Sequence, residues 1–301
     1  MTIAAIPPAD VDITPSLVRL LLKEQHPELA DLPLVDSGNG WDNKVYRLGD
    51  GLAVRLPRRS AAASLVEHEQ RWLPELAPRL PIAIPIPIRT GRPGCGYPWA
   101  WSITPWFEGT SAVSSPLRDP HTAAVELSAF VSALHLPAPH DAPRNPFRGV
   151  PLANRTPSID ERVKQLDGIV DSVAVMRIWD AALHACKWSG PPVWIHGDLH
   201  PANLLVVDAH ITAVLDFGDL TAGDPATDLS VAWLLLPSPA RATFREATRE
   251  MGEAIDDDTW TRARGWALLF GLIFLSSSRD DEVMRAMGRR TLDRVLADVR
   301  L

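Results

Sequence analysis

A chain of 301 residues is longer than one hydrophobic core usually organises, so two lobes are the first expectation, and 46% apolar residues supply ample interior. Its net charge of -7 is uneven, with 12 acidic and 11 basic residues up to Glu108 against 25 and 19 beyond it. That balance argues against a basic nucleic-acid groove and suits a cationic ligand in the second half, while Cys95 and Cys186, lacking CxxC or His-rich spacing, argue against a disulfide framework or a zinc site.

The N-terminal "MTIAAIPPADVDITP" has no basic leader and no long apolar run, and "GWALLFGLIFLSSS" is too short to span a bilayer. A cytoplasmic protein without membrane contact is expected, of unknown oligomeric state. "TPSLVRLLLKEQHPEL" predicts a first helix, with Thr-Pro as N-cap and first helical residue. "KVYRL" and "LAVRL" predict a tight hairpin turning at Gly-Asp-Gly, preceded by the glycine-bearing loop "SGNGWDN". A helix over "SAAASLVEHEQRWLPELAPRL" follows, then an extended apolar connector, "LPIAIPIPIRTGRPGCGYP", and an aromatic strand in "YPWAWSITPWFEG". Beyond a hinge near residues 105–110 the pattern is mainly helical, with one long helix predicted over "SIDERVKQLDGIVDSVAVMRIWDAALHACK". Two short strands, "ANLLVV" and "ITAVLDF", interrupt the helices and are joined by a turn at Asp208 to His210. The fold class is therefore α+β, divided into residues 1–106 with a small antiparallel sheet and residues 107–301, mainly helical.

The polar residues of "HGDLHPANLL" and "LDFGD" carry the chemical signal. Asp198 is followed by Asn203 five residues later and by Asp216 at the end of the next strand, so a hairpin brings Asn203 and Asp216 near each other with Asp198 close by. Phosphoryl transfer needs such a set: a carboxylate to orient an attacking hydroxyl, and oxygen ligands for the Mg²⁺ that bridges nucleotide phosphates. His-x-Asp, Asn at +5 and Asp-Phe-Gly also form the catalytic and metal-binding pattern of kinases, here His196, Asp198, Asn203, Asp216, Phe217 and Gly218.

The first half then supplies nucleotide contacts. In "LAVR", Arg55 stands where kinases carry a phosphate-reaching lysine, with Arg58 and Arg59 competing should the strand register shift by one. Its acidic partner is Glu69, with Glu67 as the competitor. The loop "SGNGWDN" offers donors at Asn39, Gly40 and Asn43, and "TPWFEG" places Pro105 and Phe107 at an adenine-binding hinge with Thr104 behind the base. His200 stands near the transferring phosphate, as a catalytic helper or a loop histidine. His196 is expected to be structural. His121, His135, His140 and His184 lack ligand spacing and read as solvated or helix-face residues. Trp41, Trp106 and Trp233 adjoin loops, where stacking on a base or sugar competes with core or rim packing.

"IHGDLHPANLL", "VLDFGD" and "GDPATDLSVAW", with "GWDNKVYRLGDG" and "RWLPELAPRLP" upstream, make the chain resemble the aminoglycoside phosphotransferase family of the protein-kinase-like superfamily over about residues 30–240. The resemblance implies a bilobal kinase-like fold, ATP or GTP with Mg²⁺, and phosphorylation of a small-molecule hydroxyl, as in antibiotic resistance or in metabolism of an amino alcohol or sugar. It implies Asp198 as base, Asn203 and Asp216 as magnesium ligands, and Asp224 and Asp228 as structural carboxylates. "GDP" begins five residues after "DFG" ends and no Ala-Pro-Glu follows, so there is no long activation loop for a peptide substrate. A kinase-like module that binds nucleotide without turnover is the alternative raised by Arg55 and the unconventional glycine loop. In the family the acceptor meets the helical insert and the last helices, whose acidic runs "DERVKQLD", "REATREMGEAIDDD" and "SRDDEV" permit a polyamine.

Overall fold

The computed structural model describes residues 7–115, 117–252, 255–278 and 281–298. Glu253, Arg279 and Asp280 of the acidic runs therefore lie outside the described residues.

Helix α1 (Pro15–Gln25) starts where Thr14 Oγ1 accepts from the Leu17 N–H at 3.2 Å, and Val18, Leu21 and Leu22 bury one face of it. That face covers an antiparallel sheet of order β1-β2-β3-β5-β4, with β1 Leu34–Asn39, β2 Asn43–Leu48, β3 Leu52–Pro57, β4 Arg89–Gly91 and β5 Trp101–Pro105. Period-two alternation then sorts the side chains. Tyr46, Leu48, Val54, Leu56 and Ile103 join α1 in an apolar cluster. Val45 pairs with Arg55, Ala53 with Thr104 and Arg55 with Ser102, so these residues share the opposite face.

Two expectations change here. The glycine-bearing loop is mostly strand β1, leaving only residues 40–42 as the turn, and the apolar connector contributes β4. Exposed Asp36, Ser37 and Asn39 have weak strand propensity, and pairing with β2 overrides it.

Helix α2 (Ser60–Leu76) crosses from the sheet to the larger core, to which Trp72, Leu73 and Leu76 belong. That core is built from α3 (Pro120–Leu134), α4 (Thr156–Gln165), α5 (Ser172–His184), α6 (Ala226–Leu229), α7 (Val231–Leu235), α8 (Ser238–Glu250), α9 (Asp257–Ser277) and α10 (Glu282–Ala297). Helix α9 is buried along most of its length and packs on α4, α5, α6, α7 and α10. The single long helix predicted over residues 158–187 is instead α4 and α5. Gly168 at φ +70° breaks it, and Asp171 caps the restart by accepting from the Ala174 N–H at 3.0 Å.

Short strands complete this part: β6 (Thr110–Ser111), β8 (Leu204–Val207) and β9 (His210–Val214) in one sheet, β7 (Val193–Ile195) with β10 (Thr221–Gly223) in another. The β8–β9 turn holds Asp208 and Ala209 at positive φ, the geometry of a tight hairpin. Among the described residues no helix is long and apolar enough to cross a membrane. His135 is corrected: it is buried, with Nε2 3.4 Å from Asp228 Oδ2, because the face of α3 it follows lies against the strands.

Candidate active site

The loop between β7 and β8 is held by its backbone. Asp228 accepts from the His196 N–H at 2.7 Å and the Gly197 N–H at 2.9 Å, a fully buried carboxylate fastening the two residues before Asp198. The His196 ring takes the Asp198 N–H on Nδ1 at 3.2 Å and gives Nε2–H to the Leu215 carbonyl at 2.9 Å. It ties the loop to the residue before Asp216 and bears out its structural reading. Gly197 is at φ +84°, and a Cβ there would lie 2.4 Å from the Asp219 carbonyl oxygen. Only glycine fits that crossing.

Asp198 is gripped from both sides. His200 Nδ1 accepts from the Ala202 N–H at 3.2 Å, and its Nε2 donates to Asp198 Oδ2 at 3.1 Å. Arg148 NH2 donates to Asp198 Oδ1 at 3.2 Å, and its Nε to Asp219 Oδ2 at 3.1 Å. Burial pushes the Asp198 carboxyl upward, but the His200 ring and then the Arg148 guanidinium outweigh it and hold Asp198 well below the usual carboxylate range. Burial raises Asp219, against the pull of Arg148 and with the repulsion of Asp198.

Asn203 Nδ2 donates to the Asp198 carbonyl at 3.0 Å, which leaves the amide oxygen for another partner. Asp216 sits in left-handed backbone at φ +60°, and its side chain is 53% exposed. Its nearest cation is Arg55, 3.9 Å away. The register ambiguity at Arg55 is resolved: its NH1 and NH2 meet Glu69 at 3.0 and 3.2 Å, while Glu67 is exposed, Arg58 bonds the Gly40 carbonyl and Arg59 pairs with Asp42. Burial opposes the Arg55 charge, but Glu69 and Asp216 restore it, so the guanidinium stays ionised. The Phe217 N–H also bonds Glu69, joining the second strand pair to α2.

Of the other predicted nucleotide residues, Asn39 and Gly40 flank the turn above Arg58, and the Asn43 side-chain oxygen is buried without a hydrogen-bond partner. Thr104 is buried on β5, and the Phe107 N–H has no backbone acceptor among the described residues. Trp41 is exposed at the turn, Trp106 lies beneath Arg47 with its Nε1 buried and unpartnered, and Trp233 is in the core.

A family model for the "Phosphotransferase enzyme family" matches residues 36–266. The chain belongs to that family. No curated protein sequence matches it. Among solved structures, the phosphotransferase fold is matched by the GDP and kanamycin complex of APH(2")-IIia at TM-score 0.71 and 18% identity, over 94% of this chain and 99% of that one. The apoenzyme of macrolide 2'-phosphotransferase MphH from Brachybacterium faecium matches at TM-score 0.60 and 23% identity, over 93% and 98%. The streptomycin-ATP complex of APH(2")-IIa matches at TM-score 0.61 and 14% identity, over 91% and 95%.

Sequence reasoning missed three residues that the structure brings to this candidate site: Asn145, Arg148 and Asp219. Asn145 Nδ2 donates to Asp219 Oδ1 at 2.6 Å, and the segment carrying it is pinned by Asn145 N–H to Thr221 Oγ1 at 3.0 Å and Gly149 N–H to Thr227 Oγ1 at 3.2 Å. Asp219 was within sight as the fourth residue of "DFGD". Arg148 carried a weaker sign, the turn-forming "NPFRG" with Gly149 at φ +65°. As expected, Asp224 and Asp228 are structural: Arg262 grips Asp224 from α9 at 2.7 and 3.2 Å.

Proposed function

We propose that this phosphotransferase moves the γ-phosphoryl group of ATP or GTP to a hydroxyl of a small acceptor, with residues 1–106 and 107–301 as the two lobes around the nucleotide. The observation that carries the reading is the convergence of Asp198, Asn203 and Asp216 opposite the Arg55–Glu69 pair. In the transfer the acceptor oxygen forms a bond to Pγ, the bond from Pγ to the bridging oxygen breaks, the nucleoside diphosphate leaves, and the hydroxyl proton passes to Asp198.

Asp198 is a base held ionised and fixed in orientation. A carboxylate so depressed takes the proton late, which suits the loose transition state of phosphoryl transfer. His200 on Oδ2 and Arg148 on Oδ1 leave each oxygen a lone pair for the hydroxyl. Arg55 offers a planar cation to the phosphates, and the fully formed pair with Glu69 supports a working enzyme over a non-catalytic module. Asn39, Gly40 and Asn43 would cover the phosphates, and Thr104, Pro105 and Phe107 would seat the base.

The donor set fits magnesium. Asp216 is open and lightly paired, the Asn203 amide oxygen is free, and both are hard oxygen donors. Mg²⁺ held there would neutralise charge on the β and γ phosphates. The test is release of ADP or GDP across aminoglycosides, macrolides, amino alcohols and sugars, with Asp198→Asn as the blank. Release that depends on acceptor and on Asp198 is expected. Tight nucleotide binding with no transfer to any acceptor would sink the reading.

A further inference from the structure

The face of α9 that lies beside Asp198 carries arginines where a polyamine site would need carboxylates. Arg148 already fills the space between Asp198 and Asp219. It stacks on Phe270 at 4.9 Å, and Phe274 meets the His200 ring edge-on at 5.0 Å. Phe270, Phe274 and Ser277 share one face of α9 by their i, i+4, i+7 spacing. At the end of that face Arg162 NH1 donates to Ser277 at 2.9 Å and to the neighbouring Ser276 at 2.5 Å, and its Nε donates to Ser158 at 3.2 Å. Arg155 lies over the Phe147 ring at 5.1 Å, beside Arg148 in sequence and close enough to Arg148 and Arg162 for their charges to repel its own. Among the described residues neither Arg155 nor Arg162 has an ion-pair partner within 4 Å, and the buried Arg155 Nε has no hydrogen-bond acceptor. Much of the acidic surplus of this half is engaged elsewhere: Asp224 and Asp228 by Arg262 and the loop backbone, and Asp257 by Arg245. Glu161 is near enough to favour the Arg162 charge but forms no ion pair with it.

Resting on the phosphotransferase reading above, we propose that the acceptor is a hydroxyl compound bearing an oxyanion, a carboxylate or a phosphate ester, recognised by Arg155 and Arg162 while its hydroxyl meets Asp198. A polyammonium acceptor would face two guanidiniums without ion-pair partners there, Arg155 and Arg162, a like-charge juxtaposition that selects against it. Among the described residues Arg155 has no carboxylate partner and its fork is open to one, while Arg162, held through Nε and NH1 by serine hydroxyls, keeps NH2 for an anion.

The test uses one scaffold in four charge states, D-glucuronate, D-glucose 6-phosphate, D-glucose and D-glucosamine, with kanamycin as a polyammonium comparator. Binding is read by saturation-transfer NMR and calorimetry on the full chain with Mg²⁺ and a non-hydrolysable ATP analogue, and turnover by ADP release. Glucuronate or glucose 6-phosphate should bind at least about tenfold tighter than glucose or glucosamine, the effect of one charge-assisted hydrogen bond, and the stronger of the two identifies the oxyanion. Arg155→Gln with Arg162→Gln should abolish the preference, while Arg155→Lys, the variant to rely on if the double one does not fold, should retain part of it. Tighter binding of glucosamine or kanamycin, no binding of either anion, or an unchanged preference in the double variant overturns the proposal. Arginine-dependent anion binding without ADP release would uphold the anion site and remove the kinase reading. Turnover of cationic sugars alone would do the reverse.

Discussion

Replacing Arg148 with glutamine removes one charge from between two carboxylates while keeping a hydrogen-bonding side chain. At the 3.2 Å contact with Asp198, a unit charge pair is worth about 5 kcal/mol at an effective dielectric near 20, before desolvation of both ions. Charge-assisted hydrogen bonds net about 1.5–3 kcal/mol, and the Asp198 side chain is 25% exposed, so the lower half of that range applies. Converted at 1.36 kcal/mol per unit, the Asp198 pKa should rise by about one unit. Because a depressed carboxyl contributes stability above its unfolded value near 3.9 and loses it as pH falls through its folded value, the variant should also unfold at higher pH in acid. The assay is the pH profile of nucleoside diphosphate release, with a ¹³C titration of the Asp carboxyls assigned through Asp198→Asn. The acidic limb should move up by about one unit and still lie in the acid range, so the loss of rate is confined to acid and absent near neutral pH. A uniform fall in rate with an unmoved limb and an unmoved carboxyl titration would refute the electrostatic grip and leave Arg148 a packing residue.

Asp198→Asn should lower kcat by about a hundredfold to ten-thousandfold with nucleotide affinity intact, measured by single-turnover kinetics and calorimetry; a small loss would place the proton acceptor elsewhere. Asp216→Asn should raise the Mg²⁺ concentration for half-maximal rate by about tenfold, seen in a metal titration at fixed nucleotide. Arg55→Ala would strand Glu69, which is 2% exposed, and should cost about 3–5 kcal/mol in denaturant unfolding, whereas Arg55→Lys should cost far less and show mainly as a raised nucleotide KM. Gly197→Ala adds left-handed strain to a Cβ 2.4 Å from a backbone oxygen, so about 2–5 kcal/mol of destabilisation is expected from the same measurement.

The gathering of Asp198, Asn203 and Asp216 was legible because their placement is local. Asp198, Asn203 and Asp216 lie within one strand-turn-strand unit, where spacing alone fixes proximity. The Arg55–Glu69 pair was readable for a similar reason, a strand followed directly by a helix. Arg148 and Asn145 were not, since they arrive from a non-repeating segment 50 residues ahead of Asp198 in the chain, and no period marks which of its side chains faces the loop. The helix break at Gly168 had its signals in plain view, a glycine and a capping Asp171, but the apolar spacing on both sides suggested continuity. Strand β1 was hidden by its polar composition; what makes it a strand is β2 beside it.

Five aspartates, at 198, 216, 219, 224 and 228, gather around this loop, and burial with partner count separates their work. Asp228 is fully buried and spends its oxygens on two backbone N–H groups, and Asp224 is taken by Arg262. Asp219 is shared between Asn145 and Arg148, and Asp198 between His200 and Arg148. Asp216 alone is more than half exposed with no cation in hydrogen-bond range. Its left-handed backbone costs about 1–2 kcal/mol in an ordinary residue, less in Asp, and the carboxylate at that position is left more than half exposed. A charge left open at an energetic cost, next to four that are paired, is the one that would be free to take an outside cation, which is why the metal titration of Asp216→Asn is the sharpest test of the proposed magnesium site.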